Sequence, residues 1–183
     1  MKTLRTVALT LVILCLPLLM ACDSAEPEPC GACEQEFITR LELRLTGGGG
    51  TAVATATDAD GDGVDLEITG LTLDAGTIYT GTIVVLDQIN DEDVAAEILA
   101  EADEHQFFFT AGGGLASRLS VAATDEDVNG LPIGLQFTVT VSAGGAATGT
   151  LNVALSHFDE EPKNGTTRSD ETDIDVTFPV TIR

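Results

Sequence analysis

Strict alternation of apolar and polar side chains is the feature of this sequence that most restricts its fold. The longest clean example is Ile133–Val141, where every second residue is apolar and the residues between them are Gly, Gln, Thr and Thr. A strand with one face in a core and the other in water shows this period of two. Similar segments recur along the chain between runs rich in glycine and aspartate, which favour turns. The pattern therefore predicts strands joined by short turns.

About nine segments fit this description. In chain order they are residues 37–45, 51–57, 64–69, 78–86, 105–110, 119–123, 133–141, 151–157 and 174–182. One segment differs, because Val94 and Ile98 are spaced for one face of a helix of about three turns, for which Asn90 is the expected N-cap. We therefore predict an all-β fold, a single antiparallel β-sandwich of the immunoglobulin-like or jelly-roll kind, with about nine strands and one short helix.

Two of the predicted strands carry information about their position in a sheet. Ile78–Leu86 is apolar on both faces, which is typical of a strand at the centre of a sheet. The last strand contains Pro179, and proline cannot donate a ladder hydrogen bond. This residue therefore indicates an edge strand or a bulge.

The start of the chain has the pattern of a targeting segment. A basic beginning with Lys2 and Arg5 precedes an apolar run that ends in Leu19-Met20-Ala21-Cys22. This tetrapeptide resembles the lipobox of bacterial lipoprotein signal peptides, in which the peptidase cuts before the cysteine and that cysteine carries the lipid. We expect residues 1–21 to be a lipoprotein signal peptide and Cys22 to be lipidated. The alternative is an ordinary secretory signal peptide that leaves Cys22 as a thiol.

The expected domain organisation follows from the segment after Cys22. Residues 22–36 are rich in proline and glutamate and poor in apolar residues, which predicts a disordered tether. Residues 37–183 would then form the β-sandwich domain. We expect the protein in the bacterial cell envelope, with the membrane as its partner through the lipid. Asp23, which follows the expected lipidated cysteine, resembles an inner-membrane retention signal of some bacteria. Because that signal is not universal, the sequence is compatible with anchoring in either the inner or the outer membrane.

The charge of the chain excludes one class of partner. The 183 residues contain 30 aspartates and glutamates against 8 lysines and arginines, a net charge of −22. A nucleic-acid surface needs clustered basic side chains for its phosphate contacts, so we expect no nucleic-acid partner. Acids spread along the whole chain favour a salt-adapted proteome over a cation-binding role.

A C-x-x-C pair lies in the predicted tether. Cys30 and Cys33 are separated by Gly and Ala, a spacing found in redox motifs, in half of a zinc site and in local disulfides. No second C-x-x-C is present and the segment lacks a strand-to-helix context. In an oxidising compartment a local disulfide is the expected state.

An aspartate-rich loop matches the first half of a calcium-binding loop. Asp58, Asp60 and Asp62 occupy ligand positions one, three and five, and Gly63 occupies position six. Position twelve is Thr69, where such a loop needs a bidentate glutamate. The three aspartates are therefore candidate calcium ligands, and a metal-free turn rich in Asp and Gly is the alternative.

The two histidines form the second candidate metal site. His105 shares its strand face with Phe107, and His157 shares its face with Leu155. Glu104 and Asp159 are carboxylates close to them in the sequence. If the two strand ends are adjacent, two imidazoles and one or two carboxylates could hold Zn²⁺ or Cu²⁺. The alternative is that each histidine finishes the rim of the core.

The sequence gives no reason to expect an enzyme. It has no serine in a G-x-S-x-G setting, no cysteine placed as a nucleophile and no phosphate-binding loop. We expect no catalytic residue and no organic cofactor. The favoured function is a lipid-anchored envelope binding or accessory protein that binds a transition metal through its two histidines. The alternative is a structural or adhesive surface module without a small ligand.

Several short segments spread along the chain resemble one group of proteins. They are residues 37–39, 58–63, 79–81, 103–107, 129–135 and 172–176. Together they resemble uncharacterised Gram-negative cell-envelope lipoproteins that carry the label "type 1 periplasmic binding fold". The resemblance implies an accessory of TonB-dependent uptake, with an outer-membrane receptor as its partner.

Overall fold

A computed structural model describes residues 37–159 and 161–183. The predicted signal peptide, the lipidation site Cys22, and the tether with Cys30 and Cys33 lie outside these residues. Within the described part, no helix has the length and apolar character that a membrane crossing requires.

The described residues form eleven strands and one helix. In chain order they are β1 (Arg40–Gly47), β2 (Gly50–Thr57), β3 (Glu67–Ile68), β4 (Leu71–Leu73), β5 (Ile78–Asp87), β6 (Glu92–Asp93), α1 (Val94–Ala100), β7 (His105–Gly113), β8 (Leu119–Ala123), β9 (Gln136–Val141), β10 (Ala147–His157) and β11 (Glu171–Ile182). Each predicted strand contains an observed one, although residues 64–69 contribute only Glu67–Ile68 and residues 133–141 only Gln136–Val141. The two elements that were not predicted, β4 and β6, have only three and two residues. Segments this short show no readable alternation.

The strands form two sheets. A seven-stranded sheet has the order β3-β2-β1-β5-β9-β8, with β6 paired to β5, and a four-stranded sheet has the order β4-β11-β10-β7. Every strand pair is antiparallel except β11 with β4. The fold is therefore the predicted all-β sandwich. Strand β5 lies inside the larger sheet, as its apolar sequence predicts.

One continuous core lies between the two sheets. Strand β1 contributes Leu41, Leu43 and Leu45 from the larger sheet, and β11 contributes Phe178 and Val180 from the smaller one. These side chains are the apolar members of the period-two pattern. In β1 and β11 the alternation therefore correctly identified the face that lies in the core, whereas both residues of β3 are exposed.

Pro179 lies directly before the point where β4 begins to pair with β11 in the smaller sheet. Strand β4 pairs with β11 from Val180 onward, and no strand in the described part pairs with this side of β11 before that point. Pro179 therefore belongs to the unpaired stretch of the strand, where its missing N–H leaves no ladder position empty. Strand β11 is an edge strand before Val180 and lies between β4 and β10 from Val180 onward.

The helix begins later than the sequence indicated. Its N-cap is Asp93, whose carboxylate accepts a hydrogen bond from Ala95 N, and not Asn90. The Asp87 carboxylate accepts hydrogen bonds from Ile89 N and Asn90 N, and this turn leads into the short strand β6. Because Asp93 still belongs to the β5–β6 ladder, the helix cannot start before it and spans only seven residues.

Candidate metal centre

The two histidines lie directly opposite each other across one strand pair. His105 is the first residue of β7, His157 is the last residue of β10, and the antiparallel register pairs them. Glu104 O accepts from Phe158 N, and Phe107 N donates to Ile133 O on the other side of β7. This pattern makes His105 and His157 a non-hydrogen-bonded pair, in which side chains approach most closely. Their rings stack with centroids 4.5 Å apart and planes 20° apart.

A β-bulge in β11 brings a carboxylate to the two rings. In the register of β10 with β11, Ser156 pairs with Thr172 and Leu155 pairs with Ile174, so Asp173 is an extra residue. A bulge of this kind changes the direction in which a side chain points. The Asp173 carboxylate consequently lies on the same side of the sheet as the histidines, within 4.0 Å of both.

The three groups form a compact buried cluster. His105 Nε2 lies 3.7 Å from Asp173 Oδ2, and His157 Nδ1 lies 4.0 Å from Asp173 Oδ1. The exposed fractions of the His105, Asp173 and His157 side chains are 0%, 2% and 8%. Ligand atoms of the three residues all lie within 4.8 Å of one another. We refer to His105, His157 and Asp173 as the His–His–Asp cluster.

A backbone carbonyl fixes the tautomer of His105. His105 Nδ1 lies 3.2 Å from Glu101 O, and a carbonyl oxygen can only accept a hydrogen bond. Nδ1 therefore carries the proton in the neutral ring, which leaves a lone pair on Nε2, the nitrogen that faces Asp173. This arrangement is the one that metal-binding histidines commonly show, with the second nitrogen donating to a backbone carbonyl.

The surroundings of His105 keep its ring neutral. Burial lowers the pKa of His105 from 6.5 to about 4, because the charged imidazolium loses its hydration. The hydrogen bond to Glu101 acts in the opposite direction, and electrostatic interaction with His157 and Lys163 lowers the pKa of His105 further. A neutral imidazole is the form that binds a metal ion.

The lowered pKa of His105 predicts how the stability of the metal-free protein depends on pH. The unfolded chain takes up a proton at His105 below pH 6.5, whereas the folded protein does so only below about 4. Acidification through this window therefore favours unfolding. We expect the free energy of unfolding to fall by about 3 kcal/mol between pH 6.5 and 4 from this group, and the contribution to be complete above pH 6.5.

Urea unfolding in the presence of a chelator, followed by circular dichroism between pH 7.5 and 4, would measure this effect. The matched variant is His105→Asn, whose side-chain amide can still donate to Glu101 O. Carboxylates also titrate in this range, so the comparison of the two curves isolates His105. Parallel curves for the two proteins would contradict the assignment.

The two carboxylates expected beside the histidines have different positions. Glu104 Oε2 lies 3.9 Å from His157 Nε2, and the exposed fraction of the Glu104 side chain is 49%. Asp159 is exposed, and it does not belong to the metal-ligand group found among the described residues. Of the two, Glu104 is therefore the one that the structure places next to an imidazole.

A buried ion pair lies beside the cluster. Lys163 Nζ donates to Asp127 Oδ2 at 2.9 Å and to Ala102 O at 2.7 Å. Both charged side chains have an exposed fraction of 1%. Glu101 O and Ala102 O, the carbonyls just after α1, thus accept hydrogen bonds from His105 and Lys163 respectively. The ion pair holds the segment before β11 against the end of the helix.

The candidate calcium ligands also lie close together. Asp58, Asp60 and Asp62 form a second group whose ligand atoms lie within 4.8 Å of one another. The Asp58 carboxylate already accepts hydrogen bonds from Gly61 N and Gly63 N, and these bonds, with that from Gly63 the largest cause, lower the pKa of Asp58. The protein's own backbone therefore organises this loop, as in the metal-free turn.

The spacing of the His–His–Asp cluster fits a small dication better than direct hydrogen bonds. Nitrogen–oxygen separations of 3.7 and 4.0 Å exceed the range of a hydrogen bond. Zinc bonds of about 2.0–2.1 Å at tetrahedral angles place neighbouring ligand atoms about 3.3 Å apart. Contraction of the two nitrogen–oxygen separations by less than 1 Å, and of the ligand-atom separations as a whole by at most about 1.5 Å, would close the cluster around an ion. Because the stacked rings direct their lone pairs along nearly parallel planes, one ring must also turn.

His157 is the less constrained of the two rings. In the described part of the chain, neither of its ring nitrogens has a hydrogen bond, whereas His105 Nδ1 is held by Glu101 O. Neutral imidazole nitrogen and carboxylate oxygen are the donors that zinc and copper sites commonly use. The chemistry of the donor set thus fits such an ion.

Comparisons with known proteins leave the function open. The sequence matches no protein-family model, and no curated protein matches it. One solved structure that these comparisons matched is described as "Crystal structure of the S-layer protein SbsC domains 4 and 5". The alignment covers 75% of this chain and 65% of that one, at 14% identity and a TM-score of 0.31. A likeness at this level carries no conclusion about function.

Proposed function

We propose that this protein is a lipid-anchored cell-envelope protein that binds a transition-metal ion, Zn²⁺ or Cu²⁺, at the His–His–Asp cluster. In this proposal Cys22 carries the lipid and residues 37–183 form the binding domain. The convergence of two imidazoles and one buried carboxylate within 4.8 Å is the observation that carries it. The link to TonB-dependent uptake and an outer-membrane receptor belongs to the same proposal.

The burial of the cluster supports binding of one ion with defined ligands over diffuse attraction. Exposed carboxylates are abundant in a chain of net charge −22, and they attract cations weakly and without geometry. The His–His–Asp cluster, by contrast, is enclosed, and His105 is held in its metal-binding tautomer. Electrostatic attraction to an ion is stronger in such an environment than at the surface.

Zinc and copper titration calorimetry on the full-length chain tests the proposal. All proteins carry serine at the four cysteines, Cys15, Cys22, Cys30 and Cys33, so that thiolates cannot bind the metal. We expect submicromolar binding at pH 7.5, which corresponds to a free energy of about −8 kcal/mol or more favourable. The His105→Ala/His157→Ala variant should lose this binding.

A matched control separates the site from general acidity. The Asp60→Asn/Asp62→Asn variant removes two exposed carboxylates from the other acidic group, and we expect it to bind zinc as tightly as the parent chain. Weak binding that is the same in all three proteins would overturn the proposal. A structural or adhesive surface module would then be the better account of this sandwich.

A further inference from the structure

Glu104 differs from the other groups around the cluster because it reaches solvent. Its side chain is about half exposed, whereas those of His105 and Asp173 are enclosed. Its backbone is fixed at the same time, because Glu104 O accepts a hydrogen bond from Phe158 N at 2.8 Å. The backbone of Glu104 is therefore fixed beside the rings, and its carboxylate lies close to His157 while it is accessible to water.

His157 connects this exposed carboxylate with the buried one. Its Nε2 lies 3.9 Å from Glu104 Oε2, and its Nδ1 lies 4.0 Å from Asp173 Oδ1. The first separation is too long for a hydrogen bond and exceeds by about 0.6 Å the distance of about 3.3 Å between two ligand atoms of one zinc ion. One imidazole thus has an outer nitrogen beside the surface and an inner nitrogen beside the enclosed cluster.

We propose that Glu104 and His157 form the loading route of the metal site, in which Glu104 captures the hydrated ion and His157 transfers it to His105 and Asp173. This inference rests on the proposed function. The ion exchanges water for the Glu104 carboxylate and the outer nitrogen of His157 while it is still at the surface. A turn of the His157 ring would then bring the ion to His105 Nε2 and Asp173, which would replace its remaining water ligands.

A residue that contacts the ion only during loading and release changes the rate constants of these two steps more than it changes the equilibrium dissociation constant. Glu104 stabilises the ion during both loading and release, so its removal should slow both steps. A permanent ligand would instead change the dissociation constant strongly. A general surface charge would change the association rate only slightly, and neighbouring carboxylates would have the same effect.

Stopped-flow mixing of the cysteine-free full-length chain with Zn²⁺ and a rapidly exchanging zinc indicator measures the rates. The test variant is Glu104→Gln, and the matched control is Asp103→Asn, which removes an exposed charge one residue away. We expect the association rate constant to fall about fivefold or more in Glu104→Gln and less than about twofold in Asp103→Asn. The equilibrium dissociation constant of Glu104→Gln should stay within about threefold of the parent value.

Three outcomes would overturn the inference in distinguishable ways. Equal association rates for Glu104→Gln and the parent chain would show that the ion reaches the site elsewhere, with the proposed function intact. Loss of equilibrium binding as complete as in His105→Ala/His157→Ala would make Glu104 a permanent ligand, again with the proposed function intact. Absence of zinc uptake by the parent chain would remove both the route and the metal site.

Discussion

Replacement of Lys163 by methionine is expected to lower the free energy of unfolding by about 3–5 kcal/mol. The ammonium group donates to Asp127 and to Ala102 O, and both charged side chains are almost completely enclosed. Removal of the cation leaves the Asp127 carboxylate buried without its partner, and the low-dielectric surroundings make this state costly. The segment before β11 would lose its attachment to the end of α1 at the same time.

The second variant in this experiment restores the balance of charge. In Asp127→Asn/Lys163→Met the buried carboxylate is gone, and the side-chain oxygen of asparagine can still accept from Asn129 N and Leu131 N, as Asp127 does. We expect this double variant to be more stable than Lys163→Met by about 2 kcal/mol. Such a recovery would show that the unpaired carboxylate, and not the lost methylene packing, is the main cost.

Chemical unfolding of the full-length chain, followed by circular dichroism, measures these differences. Arg168→Met is the matched control, because Arg168 forms an ion pair with Asp175 in which both side chains are well exposed. Arg168→Met also removes one positive charge, and it is expected to lower the free energy of unfolding by less than about 1 kcal/mol. Equal and small effects of Lys163→Met and Arg168→Met would contradict the structural role given to Lys163.

Replacement of Asp173 by asparagine is expected to weaken zinc binding by at least about 100-fold. Loss of a residue that only supports a ligand costs 10–100-fold in affinity, and Asp173 is the one carboxylate that approaches both imidazoles among the described residues. Asparagine keeps the size and one oxygen but removes the negative charge that offsets the dication. Asp173→Asn therefore tests how much the negative charge contributes to zinc affinity, without leaving a cavity.

Asp175→Asn is the control for this substitution. Asp175 lies two residues further along β11, outside the bulge, and its carboxylate contacts Arg168 at the surface. Calorimetry with Zn²⁺ on the cysteine-free chain should give an unchanged dissociation constant for Asp175→Asn. Equal affinity of the two variants would exclude Asp173 from the ligand set and would require a different third ligand.

The position of the two histidines could be predicted in part. Their phase relative to Phe107 and Leu155 placed both rings on the inner face of strands, because side chains two residues apart share a face. The sequence predicts a metal site only if the two strand ends are adjacent. It does not predict that they are adjacent, because no local pattern specifies which strand ends pair. The register of β7 with β10 makes them direct neighbours.

The third member of the cluster could not be predicted by alternation. The period of two that Ile174 and Val176 follow assigns Asp173 to the solvent face. The bulge inserts one residue into β11, and a shift by one residue exchanges the two faces of a strand. Lys163 was missed for a related reason, because its burial depends on contacts with Ala102 and Asp127, both distant in sequence.

The sequence by itself determined which segments are strands, which of their side chains face the core, and that the fold is an all-β sandwich. These properties follow from local periodicity, which reports whether each side chain meets water or protein. The tertiary structure alone decided that His105 stacks on His157, that Asp173 turns inward, and that Asp93 caps the helix. Those features depend on strand pairing and on a bulge, and pairing is a relation between segments that local pattern does not encode.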